Sequence, residues 1–254
     1  MQSKPAQYKT PLVVKHKRPS KLSDPFQDHG DQYTRALLSK PDHQLTWSDY
    51  QSLLGPFLPA GTYEESVYFL PLAFDLLLAE KDPGYELDVS VVWFVSEYAD
   101  QLKADGILEA CRNRICELLA HWTATFVVHH TDQATCREKG WNLDYADHVQ
   151  HVEAICECTS SLIRFTRHAD LAVGFYQDLA QSDNAPVKAA WLLELSRAQA
   201  CSIKNPPTHP EIGPALNDPA TLLNACRAVQ KTLAVTQPSP TYWRDLLAQF
   251  DYLG

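Results

Sequence analysis

The residues best suited to chemistry in this chain are histidines and carboxylates at helical spacing. Glu117 and His121 stand four apart, His129 and His130 follow about two turns later, and His148 and His151 stand three apart. Facing helices that carry Glu and His at such intervals are one way helical bundles build metal centres. The pattern nevertheless lacks H-E-x-x-H and the paired Glu-x-x-His of carboxylate-bridged sites, and His148 and His151 fall on the polar flank of an apolar stripe, where solvated histidines are common. The reading is therefore no metal and no cofactor, with these six residues as the only candidates. Cys156 and Cys158, two apart, would point in different directions on a helix, which suits packing better than joint ligation. Asp28, His29 and Asp31 form a compact polar group near the start, and such residues in a loop usually cap a helix. No G-x-S-x-G elbow marks a nucleophile and no glycine-rich loop marks a phosphate site; Gly55 to Gly61 brackets Pro56 and Pro59, which lack free amides. No residue is assigned a catalytic, cofactor-binding or metal-binding role.

The elements that would have to position these groups read as helices throughout. Leu58 to Glu80 is the most apolar, and Thr62 followed by Glu65 is a capping box that fixes where it begins. Val67, Leu70, Phe74, Leu77 and Leu78 share one face, while Phe69, Leu72 and Leu76 widen it, so the segment reads as a central buried helix, kinked or restarted at Pro71. Ahead of it, Asp31 to Ser39 predicts a short helix with Tyr33, Leu37 and Leu38 inward. Thr46 caps a second, with Asp49 at its third position and Leu45 stapled onto Tyr50, and Gly55-Pro56 closes it through a left-handed glycine. Residues 85 to 102 fit strand alternation or helix, and the longer helical pattern favours helix from about Ser90. Leu108 to Phe126 predicts one of the longest helices, and Asn142 can cap the next, with Tyr145, Val149, Val152, Cys156, Thr159 and Ile163 as its stripe. Leu171, Phe175 and Leu179 continue into a shorter helix, and Pro186 opens an alanine-rich one carrying Trp191, Leu192 and Leu195. Asn205 to Pro210 is the clearest loop. Two last helices start at Asp218-Pro219 and Ser239-Pro240, each with a polar cap and proline at the first helical position. The fold class is all-α, a globular multi-helix domain of roughly nine to eleven helices without a repeat signature, the count being approximate because helix boundaries are.

The 254 residues, 45% of them hydrophobic, suffice for a sizeable core. No apolar run approaches the roughly 18 residues that span a bilayer, and no signal-peptide core opens the chain, which points to the cytoplasm and away from a membrane. Seven cysteines without C-x-x-C spacing read as buried thiols. The net charge of −9 conceals an asymmetry: residues 1 to 21 carry six basic residues, Lys4 to Lys21, and no acid, so the remainder holds 16 basic against 31 acidic residues, a balance of −15. Met1 to Pro25 accordingly reads as a basic arm, either disordered or laid across an acidic helical domain spanning 26–254, with a soft boundary at 131–140. Leu12 to Val14 is the one stretch of the arm that would suit a short strand. An acidic body repels nucleic acid and anionic membranes and steers basic partners inward.

The run from Trp47-Ser-Asp-Tyr50 through Gly55-Pro-Phe-Leu-Pro to the Pro-Ala-Gly-Thr-Tyr-Glu-Glu box and Tyr-Phe-Leu-Pro core ending at Leu78 resembles bacterial cytoplasmic immunity proteins of polymorphic-toxin and type VI secretion systems. The resemblance implies a non-enzymatic task, binding one toxin and blocking its active site or substrate path, and it transfers no residue roles. With the acidic body, it leads to the expectation of a toxin-neutralising binder whose partner is a basic effector domain such as a nuclease. A helical adaptor in a larger assembly is the second reading, and a metal-dependent helical enzyme built on the histidine groups is the third. Partner identity, interface and oligomeric state are not encoded legibly.

Overall fold

Two threonines start helices by the same local chemistry. Thr46 Oγ1 accepts the Asp49 amide while Asp49 Oδ2 accepts the Thr46 amide at 2.8 Å, and Glu65 Oε2 accepts the Thr62 amide at 3.0 Å in the second capping box. A computed structural model of the chain describes residues 11–27, 29–56, 59–79, 87–124, 147–165, 167–181, 185–201, 209–235 and 241–253. Every regular element among them is a helix, so the fold is all-α. The chain forms two compact units, Met1–Leu118 and Leu119–Gly254. The expected soft boundary at 131–140 lies outside the described residues.

In the first unit, α1 (Gly30–Ser39), α2 (Trp47–Leu54), α3 (Tyr63–Ser66), α4 (Leu70–Ala79), α5 (Leu87–Glu97) and α6 (Ala99–Ala104) follow one another, and α7 (Leu108–Ala124) begins there. The segment around Pro71 does restart. One turn of 3-10 helix, Val67–Phe69, separates α3 from α4, and Pro71 occupies the second position of the new helix, where its missing amide costs no hydrogen bond. Leu70, Ala73, Phe74 and Leu77 are buried, and both α2 and α5 pack against α4. Leu72, Leu76 and Leu78 are only half-buried, so α4 has a partly exposed side where the sequence suggested full enclosure.

Three further readings are corrected. Tyr33 is exposed, its hydroxyl meeting Ser52 Oγ at 2.8 Å, while Thr34 turns inward beside Leu37. Gly55 ends α2 in an extended conformation, φ −71° and ψ 160°, rather than a left-handed one. The position needs glycine for room, since a Cβ there would stand 2.3 Å from the Gln51 carbonyl oxygen. Leu12 to Val14 forms no strand. Residues 11–23 run without regular structure, and the arm is anchored within the unit by buried Leu12 and Leu22, by Ser23 bonded to Glu65, and by Arg18 bonded to the Lys40 carbonyl. Residues 87–104 are helical apart from the break at Tyr98 between α5 and α6, with α5 already formed at Leu87.

The second unit contains α8 (Asp147–Arg164), α9 (Ala169–Ala180), α10 (Pro186–Cys201), α11 (Gly213–Asn217), α12 (Pro219–Val235) and α13 (Thr241–Ala248). Its hub is α10, which packs against α8, α9, α11, α12 and α13. Residues 189 to 196 of that helix are buried on every side. Alanines at 189, 190 and 198 allow such close surrounding, since small side chains let neighbouring helices approach. Asp218 caps α12 by accepting the Thr221 amide at 2.8 Å, with Pro219 at the first helical position as the sequence indicated. The buried face of α9 is Ala172, Val173, Tyr176 and Leu179; Leu171 and Phe175 are half-buried, a register displaced from the expected one. The short α11 was not legible as a helix. Asn142, Tyr145 and the loop at 205–208 lie outside the described residues.

Candidate functional site

The sequence candidates for a metal are not brought together among the described residues. Glu117, half-buried on α7, accepts Arg114 Nη1 at 2.9 Å, and Arg114 also reaches Asp75 at 3.4 Å. His121 is half-buried further along the helix. His129 and His130 lie outside the described residues, and His148 and His151 belong to the first turns of α8, whose side chains there are likewise outside them. No group of three or more His, Cys, Asp or Glu able to hold a metal occurs among the described residues. Cys111, Cys156, Cys158 and Cys226 are buried and Cys116 is exposed; burial pushes the Cys111 thiol up to about 12, which makes it inert as a nucleophile at neutral pH.

The polar group at the start of α1 is capped by Asp24, and Asp28 lies outside the described residues. Asp24 Oδ2 accepts the Gly30 amide at 2.8 Å and the His29 amide at 3.2 Å, and Asp24 itself sits at φ 42° to reach them. Nearby, a cleft of about 280 Å³ is lined by His29, Ser48, Gln51, Ser52 and Ser90. The Ser52 hydroxyl is already committed: it donates to the Ser48 carbonyl at 3.1 Å and receives the Tyr33 hydroxyl, while the His29 ring stacks on Tyr33 at 5.0 Å. A serine donating to backbone is not poised for attack, because nucleophilic use needs its proton aimed at a base.

A different arrangement unites aromatic rings and carboxylates on α3, α5 and α6. Tyr98 lies between Phe94 at 4.8 Å, Tyr63 at 5.2 Å and Trp93 at 6.1 Å, the last edge-on at 81°. Tyr63 and Phe94 are buried, whereas Tyr98 and Trp93 are half-buried and present their rings outward in part. Glu64 and Glu97 are exposed carboxylates, adjacent in sequence to Tyr63 and Tyr98 respectively, and Glu64 accepts the Thr62 hydroxyl at 3.0 Å. Burial, followed by the charges of Glu97 and Glu64, raises the Tyr98 hydroxyl above its ordinary range. Beneath the wall, Asp105 Oδ2 accepts the Tyr63 hydroxyl at 2.7 Å and meets His16 Nε2 at 2.9 Å. The Tyr63 bond, with His16 beside it, holds the Asp105 carboxyl below its usual value against the smaller effect of burial. Burial and that same carboxylate push the Tyr63 hydroxyl well up. His16 also packs edge-on against the Tyr63 ring at 5.9 Å and 79°.

No family model matches the chain, and neither a curated protein nor a solved structure is significantly similar to it.

The wall was missed in the sequence because its parts were read as helix faces. The available signal was local: Tyr63-Glu64 and Glu97-Tyr98 each set a carboxylate next to a tyrosine. The partnership of His16 with Asp105 spans 89 positions and has no local signal at all. The second unit holds its own buried polar groups. Glu194, fully buried on α10, pairs with Arg197, Trp191 Nε1 donates to the Thr123 carbonyl at 2.8 Å, and Tyr176 meets Thr159 Oγ1 at 3.2 Å. These close a core rather than face a cleft; burial, with Cys156 and Cys158 adding to it, raises the Tyr176 hydroxyl well above its ordinary value.

Proposed function

We propose that this chain is a non-enzymatic binding protein, an immunity protein that captures and neutralises one basic toxin domain, such as a nuclease, in the bacterial cytoplasm. The observation that carries the reading is the charge layout, 31 acidic against 16 basic residues once the first 21 positions are set aside. A surface of that sign steers a cationic partner into encounter and opposes the substrate groove of a protein that must hold a polyanion. In the described part of the arm, two groups that could meet phosphate are engaged by acids of the first unit, which supports a protein partner over nucleic acid: Arg18 Nε lies 3.4 Å from Asp42, and His16 lies on Asp105. Among the described residues no helix is long and apolar enough to cross a membrane, which fits a partner met in solution.

A second reading, a helical adaptor, draws on the division into two compact units, each with its own core. Protection separates the two. The protein encoded beside this chain is expressed alone and together with it, and cell survival is counted. The immunity reading expects killing by the neighbour alone and rescue by co-expression; rescue that fails while the two proteins still bind each other would move the account to the adaptor.

A further inference from the structure

Resting on the basic-partner reading, we infer that the wall formed by Trp93 and Tyr98 between Glu64 and Glu97 is the seat of an arginine side chain of that partner. A guanidinium is planar, stacks on the face of Tyr or Trp and bonds a carboxylate through two parallel N–H groups, so one arginine satisfies both features of the surface at once. Lysine, a strongly hydrated point charge, uses the carboxylates and gains less from the rings.

Several observations converge on this seat. Tyr98 and Trp93 are each half-buried, held by neighbouring rings at 4.8 to 6.1 Å, so they form a rigid platform that loses little freedom on binding. The two flanking carboxylates are exposed, and the charges acting on the Tyr98 hydroxyl are both negative. Beside them the protein already sets a nitrogen ring of its own against both a carboxylate and an aromatic ring, though edge-on: His16 meets the Asp105 carboxylate at 2.9 Å and the Tyr63 ring at 5.9 Å. Aromatic side chains paired with arginine are the combination that dominates binding energy at protein interfaces.

The test uses the full chain labelled with nitrogen-15 at tryptophan and a nona-arginine peptide as the probe. The Trp93 indole signal, assigned through Trp93→Phe, is followed during titration at low salt. The expected result is a saturable shift of that signal, with the apparent Kd rising about fivefold or more in Glu64→Gln/Glu97→Gln and less than about twofold in the control pair Asp31→Asn/Asp245→Asn. All four substituted carboxylates are exposed; because Glu64 also accepts the Thr62 hydroxyl at 3.0 Å, the single Glu97→Gln variant is titrated beside the pair and is expected to weaken binding on its own. An unmoved Trp93 signal overturns the proposal, and so does equal weakening by the two pairs, which would reduce the effect to net charge. Either failure removes this seat alone, because the basic-partner reading is judged separately by protection and capture.

Discussion

Asp105 shows how a single side chain ties distant parts of the first unit together, since one carboxylate oxygen serves both Tyr63 and His16. Its proton affinity falls on folding. So does that of Asp49, where burial works upward but the Lys40 bonds at 2.7 and 2.9 Å and the Thr46 groups outweigh it, and that of Glu65, where the Ser23 and Thr62 bonds do the same. A carboxyl with a depressed folded value contributes stability that is complete above its unfolded range, about pH 4, and disappears as pH falls through the lower folded value. Urea unfolding midpoints are therefore expected to be level from pH 7 to 5 and to drop below about pH 4, with a shallower drop in Asp105→Asn. A midpoint that rises on acidification would contradict the account.

Glycines give a second residue-scale expectation, because three of them differ in what excludes a side chain. Gly55→Ala drives a Cβ against backbone at 2.3 Å and should cost about 1 to 3 kcal/mol, the penalty of forcing atoms into packed space. Gly106 has open space but φ +74°, so alanine there should cost about 1 kcal/mol through conformation alone. Gly174, inside α9 and with nothing within 4 Å, should instead gain about 0.5 to 1 kcal/mol as alanine. Denaturant midpoints of the three variants order them, and the same sign for all three would be the contrary result.

At the scale of elements, the most enclosed helix is α10, and its stability turns on a buried charge pair. Truncating Arg197 removes a charged partner of the fully buried Glu194, and breaking such a pair is expected to cost on the order of 3 kcal/mol. Replacing both residues by apolar ones of similar volume should recover most of that loss, since it removes the desolvation penalty together with the bond. Equal melting temperatures for Arg197→Met and Glu194→Leu/Arg197→Met would show that the pair is not what holds the helix.

The same helix explains what the sequence could and could not convey. Helix starts were legible because capping is a transaction within four residues: Thr46 with Asp49, Thr62 with Glu65, and Asp218 with Thr221. The restart at Pro71 was legible for the same reason. Enclosure was not, since Glu194, Ser196 and Arg197 give α10 a polar appearance, and only the Glu194–Arg197 pairing together with packing by neighbouring helices reverses it. The displaced face of α9 has a similar origin. Phe175 is the more apolar ring, yet Tyr176 is the one buried, because Thr159 on α8 receives its hydroxyl. The Asp24 cap was hidden because it acts from five and six residues away through a left-handed aspartate. The candidate site was legible only in its charge, as the juxtaposition of Tyr63, Trp93 and Tyr98 depends on how α3 and α5 meet.

For the molecule as a whole, the account rests on long-range electrostatics followed by short-range seating. Steering acts over distances that salt truncates to about 10 Å at 0.1 M, so the association rate with a basic partner should fall at least about tenfold between 0.05 and 0.5 M salt. Dissociation should change less, because seated pairs are screened less than approaching ones. A salt-insensitive association rate would remove steering from the account. The most direct measurement of the central claim is affinity capture of the tagged full chain from the cells that naturally make it, with stoichiometry and identity of the bound protein read by mass spectrometry. The account expects one basic protein domain at equal stoichiometry; a chain that emerges alone, or bound to an acidic partner, would contradict it.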